Sequence, residues 1–306
     1  MIGIENIASY IPLQRISNYE RKEKFSITNE FIEEKIGVRQ IALKANNEDA
    51  SILCLKAFEN LSKKCKINKD DIEALVVVTQ NPDYNIPHCA AILHGMLGLK
   101  NSCAAFDISL GCSGFVYGLS VILSFMKCNE IKKALLFTSD PYSKIIDPND
   151  KNTSLLFGDA AAVVLLSDTP IFTPMKFTFG TSGKNYEDLI CKNGKLFMNG
   201  RAVFNFTAKV IPEDIRQLMN KNKIKKDDID LFVFHQGSKI IVDTLGKKLE
   251  IPREKVIFNA QDFGNTVSSS IPIILEELLS KTEVKTILIS GFGVGLSWSS
   301  TILKRI

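Results

Sequence analysis

Histidine and tryptophan are scarce in this chain of 306 residues, which contains three histidines and one tryptophan. Seven cysteines are present, but no two of them form a C-x-x-C pair. Such a set is typical neither of a disulfide framework nor of a zinc ribbon, so we expect a protein of the reducing cytoplasm without a bound metal. The chain begins without a basic segment followed by an apolar run, so we also expect no secretory signal.

Long apolar runs are missing as well. The apolar segment Phe115–Met126 is interrupted by glycine and serine and is shorter than the ~20 apolar residues of a membrane span. It therefore predicts a buried helix and no membrane association. The net charge of +4 is modest and the lysines are spread along the chain, so we expect no nucleic-acid partner.

What the chain does contain is a cysteine at a predicted junction between a strand and a helix. Residues that favour strands lead through Gly111 into Cys112, and the apolar segment Phe115–Met126 follows. A cysteine at a helix N-terminus lies beside unpaired backbone N–H groups and the positive end of the helix dipole. We therefore expect the pKa of Cys112 to lie well below its usual ~8.5. The alternative is a small residue buried at a tight junction.

Two later junctions carry a histidine and an asparagine. His235 follows the apolar segment Leu231–Phe234, and Asn265 lies in a turn before a run of small residues. Open α/β sheets bind ligands at the carboxyl ends of their strands. We therefore expect Cys112, His235 and Asn265 to meet at one end of a sheet, although a single histidine at a strand end is more often a structural hydrogen-bonding group.

The chain also contains an internal repeat. The segment Asp70–Gln80 closely matches Asp227–Gln236, and a helix, a strand, a functional junction, an apolar helix and a closing strand follow each copy. This repeat predicts two similar β/α units about a pseudo-twofold axis, spanning residues 1–168 and 169–306. No linker rich in proline, glycine or serine separates them, so we expect a shared core. The alternation of strands and helices predicts mostly parallel sheets covered by helices.

Five motifs, in order, resemble those of one family. The segment Phe106–Gly118 resembles the nucleophile region of β-ketoacyl-acyl carrier protein synthase III, and the residues around His235 and Asn265 are similar to its two other catalytic signatures. Leu156–Ala161 and Gly291–Trp298 resemble its glycine motifs. The resemblance covers nearly the whole chain and implies an α/β fold of the thiolase-like, five-layered αβαβα type built from two similar halves. It also implies a homodimer.

The resemblance implies a decarboxylative Claisen condensation in fatty acid biosynthesis, with no cofactor. An acyl-CoA primer would load onto Cys112, and malonyl-acyl carrier protein would extend it to a 3-oxoacyl product. The substrates would thus be thioesters of CoA and of carrier-protein phosphopantetheine. Neutral His235 and Asn265 would donate hydrogen bonds to the enolate oxygen. Backbone N–H groups of Cys112 and Val294 would form a second oxyanion hole, and Phe292 would be a gatekeeping aromatic residue or simply part of the core.

Several residues depart from the family pattern. Phe31 and Lys35 stand where an adenine-stacking indole and a phosphate-binding guanidinium are usual, and Lys151 replaces another CoA-contacting arginine. Lys239 lies one position before the usual carrier-docking arginine. Since a smaller ring and a point charge bind less well than an indole and a guanidinium fork, we expect weaker CoA binding. Ile86 replaces a bulkier aromatic residue at the partner's acyl pocket, which suggests a different or larger acyl group and a specialised paralogue.

Two other functions remain open from the sequence. An acyltransferase on the same fold would pass the acyl group from Cys112 to an amine or hydroxyl acceptor, but simple transfer does not require Asn265. A non-catalytic partner subunit would not require an intact cysteine, histidine and asparagine set. A thiolase is disfavoured because the segment Gly291–Gly295 lacks the second catalytic cysteine expected there.

Overall fold

The computed structural model describes residues 1–306 and contains both strands and helices. The strands are β1 Gly3–Tyr10, β2 Gln14–Ser17, β3 Gln40–Leu43, β4 Ala74–Val78, β5 Ala104–Ile108, β6 Ala134–Ser139, β7 Ala161–Ser167, β8 Phe172–Pro174, β9 Thr178–Thr181, β10 Leu189–Lys192, β11 Lys195–Met198, β12 Leu231–Phe234, β13 Thr286–Gly293 and β14 Ser297–Arg305. The α-helices are α1 Lys22–Phe25, α2 Ala50–Lys64, α3 Cys89–Leu97, α4 Gly114–Cys128, α5 Lys151–Ser154, α6 Gly200–Asn222, α7 Lys239–Lys248 and α8 Ser270–Leu278.

The large sheet has two halves with helices between and outside them. Its strands follow the order β12-β13-β14-β8-β1-β7-β6-β4-β5, and β9 also pairs with β14. The halves join where β1 meets β8, at the pair Ile4–Phe172. Helices α4 and α8 pack in a core between them, whereas α2 and α3 cover the outer face of one half and α6 and α7 that of the other. These are the five layers of the predicted αβαβα fold.

Helix α4 is buried because its sequence suits a position between two sheets. Its buried residues Phe115, Leu119, Ile122 and Met126 recur at helical spacing, as expected for a core-facing stripe. A Cβ on Gly118 would lie only 2.8 Å from a methyl group of Val78 on β4. The glycine therefore lets α4 lie directly against the sheet. This contact fixes the position of the first turn of α4.

The internal repeat corresponds to matching elements in the two halves. The strand pairs β4 and β12, β6 and β13, and β7 and β14 occupy equivalent places, as do helices α4 and α8. The counterpart of β5 is reduced to an isolated bridge between Phe232 and Val256. The division at residues 168 and 169 stays a prediction.

The expected mostly parallel arrangement is wrong. Only the pairs β4–β5, β4–β6 and β12–β13 are parallel, and the other pairs in the large sheet are antiparallel. One of these antiparallel pairs arises because β13 turns straight back into β14 without a crossover helix, so the two strands pair from Thr286–Lys304 to Gly293–Ser297. None of the helices is both long enough and apolar enough to span a bilayer.

Candidate active site

A largely apolar cavity of about 300 Å³ brings together the three residues singled out from the sequence. Cys112, His235 and Asn265 all line it, together with Phe292. Each comes from a different junction, after β5, after β12 and before α8 respectively. The predicted meeting point at one end of the sheet is therefore present in the fold.

Cys112 is buried at the inner part of this cavity, with an exposure of 4%. Helix α4 begins two residues later, at Gly114. Burial has the largest effect on the Cys112 thiol, and the carboxylate of Asp140 acts in the same direction, whereas the nearby backbone N–H groups of Val294 and of Cys112 itself favour the thiolate. Burial and Asp140 together raise the pKa of Cys112 to about 12. The expected low pKa is wrong, and Cys112 is a thiol at neutral pH.

The last part of β13 lies directly against the cysteine. A Cβ on Gly293 would come 2.8 Å from the Sγ of Cys112, and a Cβ on Gly291 would come 2.8 Å from its carbonyl oxygen. Gly293 also has a φ of +154°, which side chains rarely adopt. The glycines thus allow the close approach that brings the N–H of Val294 to the sulfur. The role of the Cys112 and Val294 N–H groups in an oxyanion hole stays a prediction.

His235 is buried and held in one orientation. Its Nδ1 lies 2.8 Å from the Oγ of Ser270, which also accepts a hydrogen bond of 3.4 Å from the backbone N–H of Gln236. When Nε2 carries the imidazole proton, Nδ1 accepts the hydroxyl proton of Ser270. Burial lowers the pKa of His235 to about 3, so the ring is neutral, as expected. Phe292 packs against it edge to face, at 5.7 Å between ring centroids.

Asn265 is fixed by its backbone and by its side-chain oxygen. Its N–H donates to the carbonyl of Leu156 at 2.8 Å, and its own carbonyl accepts from Gly158 at 3.0 Å. Its Oδ1 accepts a hydrogen bond from the N–H of Val267 at 2.9 Å. Because the oxygen is engaged, the Nδ2 group is the part of the amide that remains to donate to a ligand.

The mouth of the cavity contains three of the predicted substrate contacts. Phe31, Lys35 and Lys151 line the cavity, and the Nζ of Lys151 lies 5.2 Å from the centroid of the Phe31 ring. Lys239 does not line it, because its ammonium group forms ion pairs with Glu34 at 2.7 Å and Asp243 at 3.2 Å.

Ile86 lies away from the cavity of its own chain. It is 88% exposed and is not among the lining residues. Its neighbours Tyr84 and Pro87 are exposed as well. The predicted role of Ile86 at a partner's acyl pocket stays a prediction.

Sequence reasoning missed the residues that support the site. Ser270 orients His235, and buried Asp140, whose pKa burial raises to about 6, accepts hydrogen bonds from Gln80 and Ser268. One face of α6 forms a cavity wall that was also missed. The run of small residues before α8 and the helical spacing of apolar residues after Gly200 were the available signals.

The geometry is that of a thiolase-like condensing enzyme, and comparisons with known proteins agree. The sequence model described as 3-oxoacyl-[acyl-carrier-protein] synthase III matches residues 106–183, and that of its C-terminal part matches residues 219–305. The β-ketoacyl-[acyl-carrier-protein] synthase III of Streptococcus sanguinis is 34% identical, over 98% of each chain.

Solved structures give the same result. The 3-oxoacyl-[acyl-carrier-protein] synthase III of Aquifex aeolicus has a TM-score of 0.93 at 28% identity and 100% coverage of both chains. The 3-oxoacyl-(acyl-carrier protein) synthase of Burkholderia xenovorans has a TM-score of 0.92 at 32% identity, covering 99% of this chain and 94% of its own. The chain belongs to the 3-oxoacyl-[acyl-carrier-protein] synthase III family.

Proposed function

We propose that this protein is a β-ketoacyl-acyl carrier protein synthase III that condenses an acyl-CoA primer with malonyl-acyl carrier protein. The observation that carries the proposal is the shared cavity of a buried thiol, a neutral imidazole and a carboxamide, from Cys112, His235 and Asn265. These groups match the two needs of the reaction, which are a nucleophile that holds one acyl group and donors that stabilise an enolate.

In the first proposed step, the sulfur of Cys112 attacks the carbonyl carbon of acyl-CoA. The tetrahedral oxyanion receives hydrogen bonds from the N–H groups of Cys112 and Val294, which lie close to the sulfur. The C–S bond to CoA then breaks, and the thiol proton of Cys112 ends on the departing CoA thiolate, which leaves as the thiol. Protons therefore balance without any change in the charge of the protein.

In the second step, malonyl-acyl carrier protein loses carbon dioxide, and the electron pair of the broken C–C bond forms an enolate. The Nε2–H of His235 and the Nδ2–H of Asn265 donate to its oxygen. The enolate carbon attacks the acyl group on Cys112, the C–S bond breaks, and the resulting thiolate takes up one proton from solvent. Both donors are neutral, so the cavity need not bury an unpaired cation before substrate binds.

Release of carbon dioxide is the direct test of this proposal. Purified protein with acetyl-CoA and malonyl-acyl carrier protein carrying a labelled carboxyl group should release labelled carbon dioxide and form the 3-oxoacyl product. Loading of Cys112 without any decarboxylation would overturn the proposal and favour the acyltransferase alternative. The comparisons with synthases support condensation.

We further propose a homodimer in the cytoplasm. Strand β5 ends the large sheet and pairs only with β4, so its other edge is free to pair with a second copy. Exposed Ile86 would then reach the partner's acyl pocket. All seven cysteines are free thiols, which supports a reducing compartment. A monomer in light-scattering measurements at micromolar concentration would contradict the dimer.

A further inference from the structure

Thr207 carries a buried hydroxyl group that has no partner within the protein. The residue lies within α6, is 1% exposed and lines the candidate active-site cavity. Its Oγ1 makes no hydrogen bond, although a threonine within a helix commonly bonds to the carbonyl of the preceding turn. A buried hydroxyl that is left unpaired is costly, so a group that enters the cavity is the natural partner for it.

The position of Thr207 on α6 places it at the inner end of the cavity wall. Gly200, Val203, Phe204 and Thr207 line the cavity at positions i, i+3, i+4 and i+7, which is one face of a helix about 10 Å long. Residues of α6 beyond Thr207 do not line it. The other end of this face is Gly200, which follows strand β11. Strand β11 contacts α5, the helix that begins at Lys151. This end of the face therefore lies toward the mouth of the cavity.

A thioester substrate would bring few polar groups past this wall. The pantetheine arm has two amides and one hydroxyl, and a saturated acyl chain has no group that can form a hydrogen bond. Apart from Thr207, the part of α6 that lines the cavity offers apolar side chains and a glycine.

We propose that the Thr207 hydroxyl donates a hydrogen bond to an amide carbonyl of the pantetheine arm. This contact makes Thr207 a determinant of specificity for pantetheine thioesters over simple alkyl thioesters. The inference rests on the proposed function, since it takes the thioester substrates from there.

The test compares Thr207→Val, which keeps the shape and removes the hydroxyl, with Thr207→Ser, which keeps the hydroxyl. Acylation of Cys112 is followed by intact-protein mass spectrometry with acetyl-CoA and with S-ethyl thioacetate, which has no amide. We expect Thr207→Val to lower kcat/KM about tenfold for acetyl-CoA only, and Thr207→Ser to stay within about twofold of wild type. The melting temperature of Thr207→Val should be equal to or above that of wild type, because an unpaired buried group is removed.

Equal losses with both thioesters, or no loss with either, would overturn the inference. Calorimetric titration with CoA itself separates this result from the proposed function, since it requires no reaction. If wild type acylates Cys112 with neither thioester, the proposed function fails, and an unchanged Kd for CoA in Thr207→Val would then also reject the contact. A Kd about tenfold weaker in Thr207→Val would support it.

Discussion

Replacing Asn265 by alanine should separate the two half-reactions. The carboxamide is proposed to donate to the enolate oxygen, whereas the loading step uses the N–H groups of Cys112 and Val294. Loss of one such donor typically raises a barrier by about 2.7–4 kcal/mol, or roughly 10²–10³ in rate. We therefore expect decarboxylation and condensation to fall by that factor, while acyl transfer from CoA to Cys112 stays within about twofold.

The structure also predicts a cost in stability for this variant. The Oδ1 of Asn265 accepts the buried N–H of Val267 at 2.9 Å, and a buried donor left unpaired costs about 1–3 kcal/mol. Asn265→Asp keeps an acceptor oxygen for that N–H but has no amide to donate. It is the matched control, because it should lose condensation while the Val267 hydrogen bond is retained.

Rapid-quench measurements of the two steps decide the question. Loading is followed as acetyl mass on the protein, and decarboxylation as labelled carbon dioxide released from malonyl-acyl carrier protein by protein that has already been acetylated. If Asn265→Ala slows both steps to the same extent, at a temperature where it is fully folded, the assignment of the amide to the enolate is wrong.

Three further variants test the nucleophile, the glycine that ends β13 and the neutral histidine. Cys112→Ala should abolish acyl transfer to the protein, and acetyl mass that persists in the intact protein would contradict this. Gly293→Ala would place a Cβ 2.8 Å from the Sγ of Cys112 and should slow loading on the order of 10²-fold, whereas Gly95→Ala, whose Cβ would meet no atom within 4 Å, should load normally. Because the pKa of His235 is about 3 in the folded state and near 6.5 when unfolded, the unfolded chain binds the proton first as pH falls. Wild type should lose up to about 1.4 kcal/mol of unfolding free energy per pH unit below 6.5, relative to His235→Gln. Unfolding free energies are measured by urea titration at several pH values, and the same pH dependence in both proteins would contradict this.

The layers of the fold could be predicted from the sequence because the repeat and the motifs reach along the whole chain. The matching segments Asp70–Gln80 and Asp227–Gln236 end in strands β4 and β12, which hold equivalent places in the two halves. Strand direction could not be predicted in the same way. The return from β13 to β14 takes only residues 294–296, and the alternation of strands and helices contains no information about such a turn.

The meeting of Cys112, His235 and Asn265 could be predicted because each residue lies at a junction, and junctions gather at the ends of strands. The residues that orient these three side chains or line the cavity around them could not be found in this way. Ser270 is one of three consecutive serines, and only the fold shows which of them faces the imidazole. Thr207 belongs to a helix whose apolar spacing indicates a buried face but not a cavity.

The pKa of Cys112 shows why local sequence misleads at this position. A helix N-terminus typically contributes 0.3–1 kcal/mol, and at most about 2 kcal/mol, in favour of a negative charge. A rise in pKa from 9.0 to about 12 corresponds to about 4 kcal/mol against the thiolate. Desolvation by the apolar cavity therefore outweighs the helix. In the proposed function the thiol proton would therefore leave only as the sulfur attacks a bound thioester, when the N–H groups of Cys112 and Val294 would receive the new negative charge.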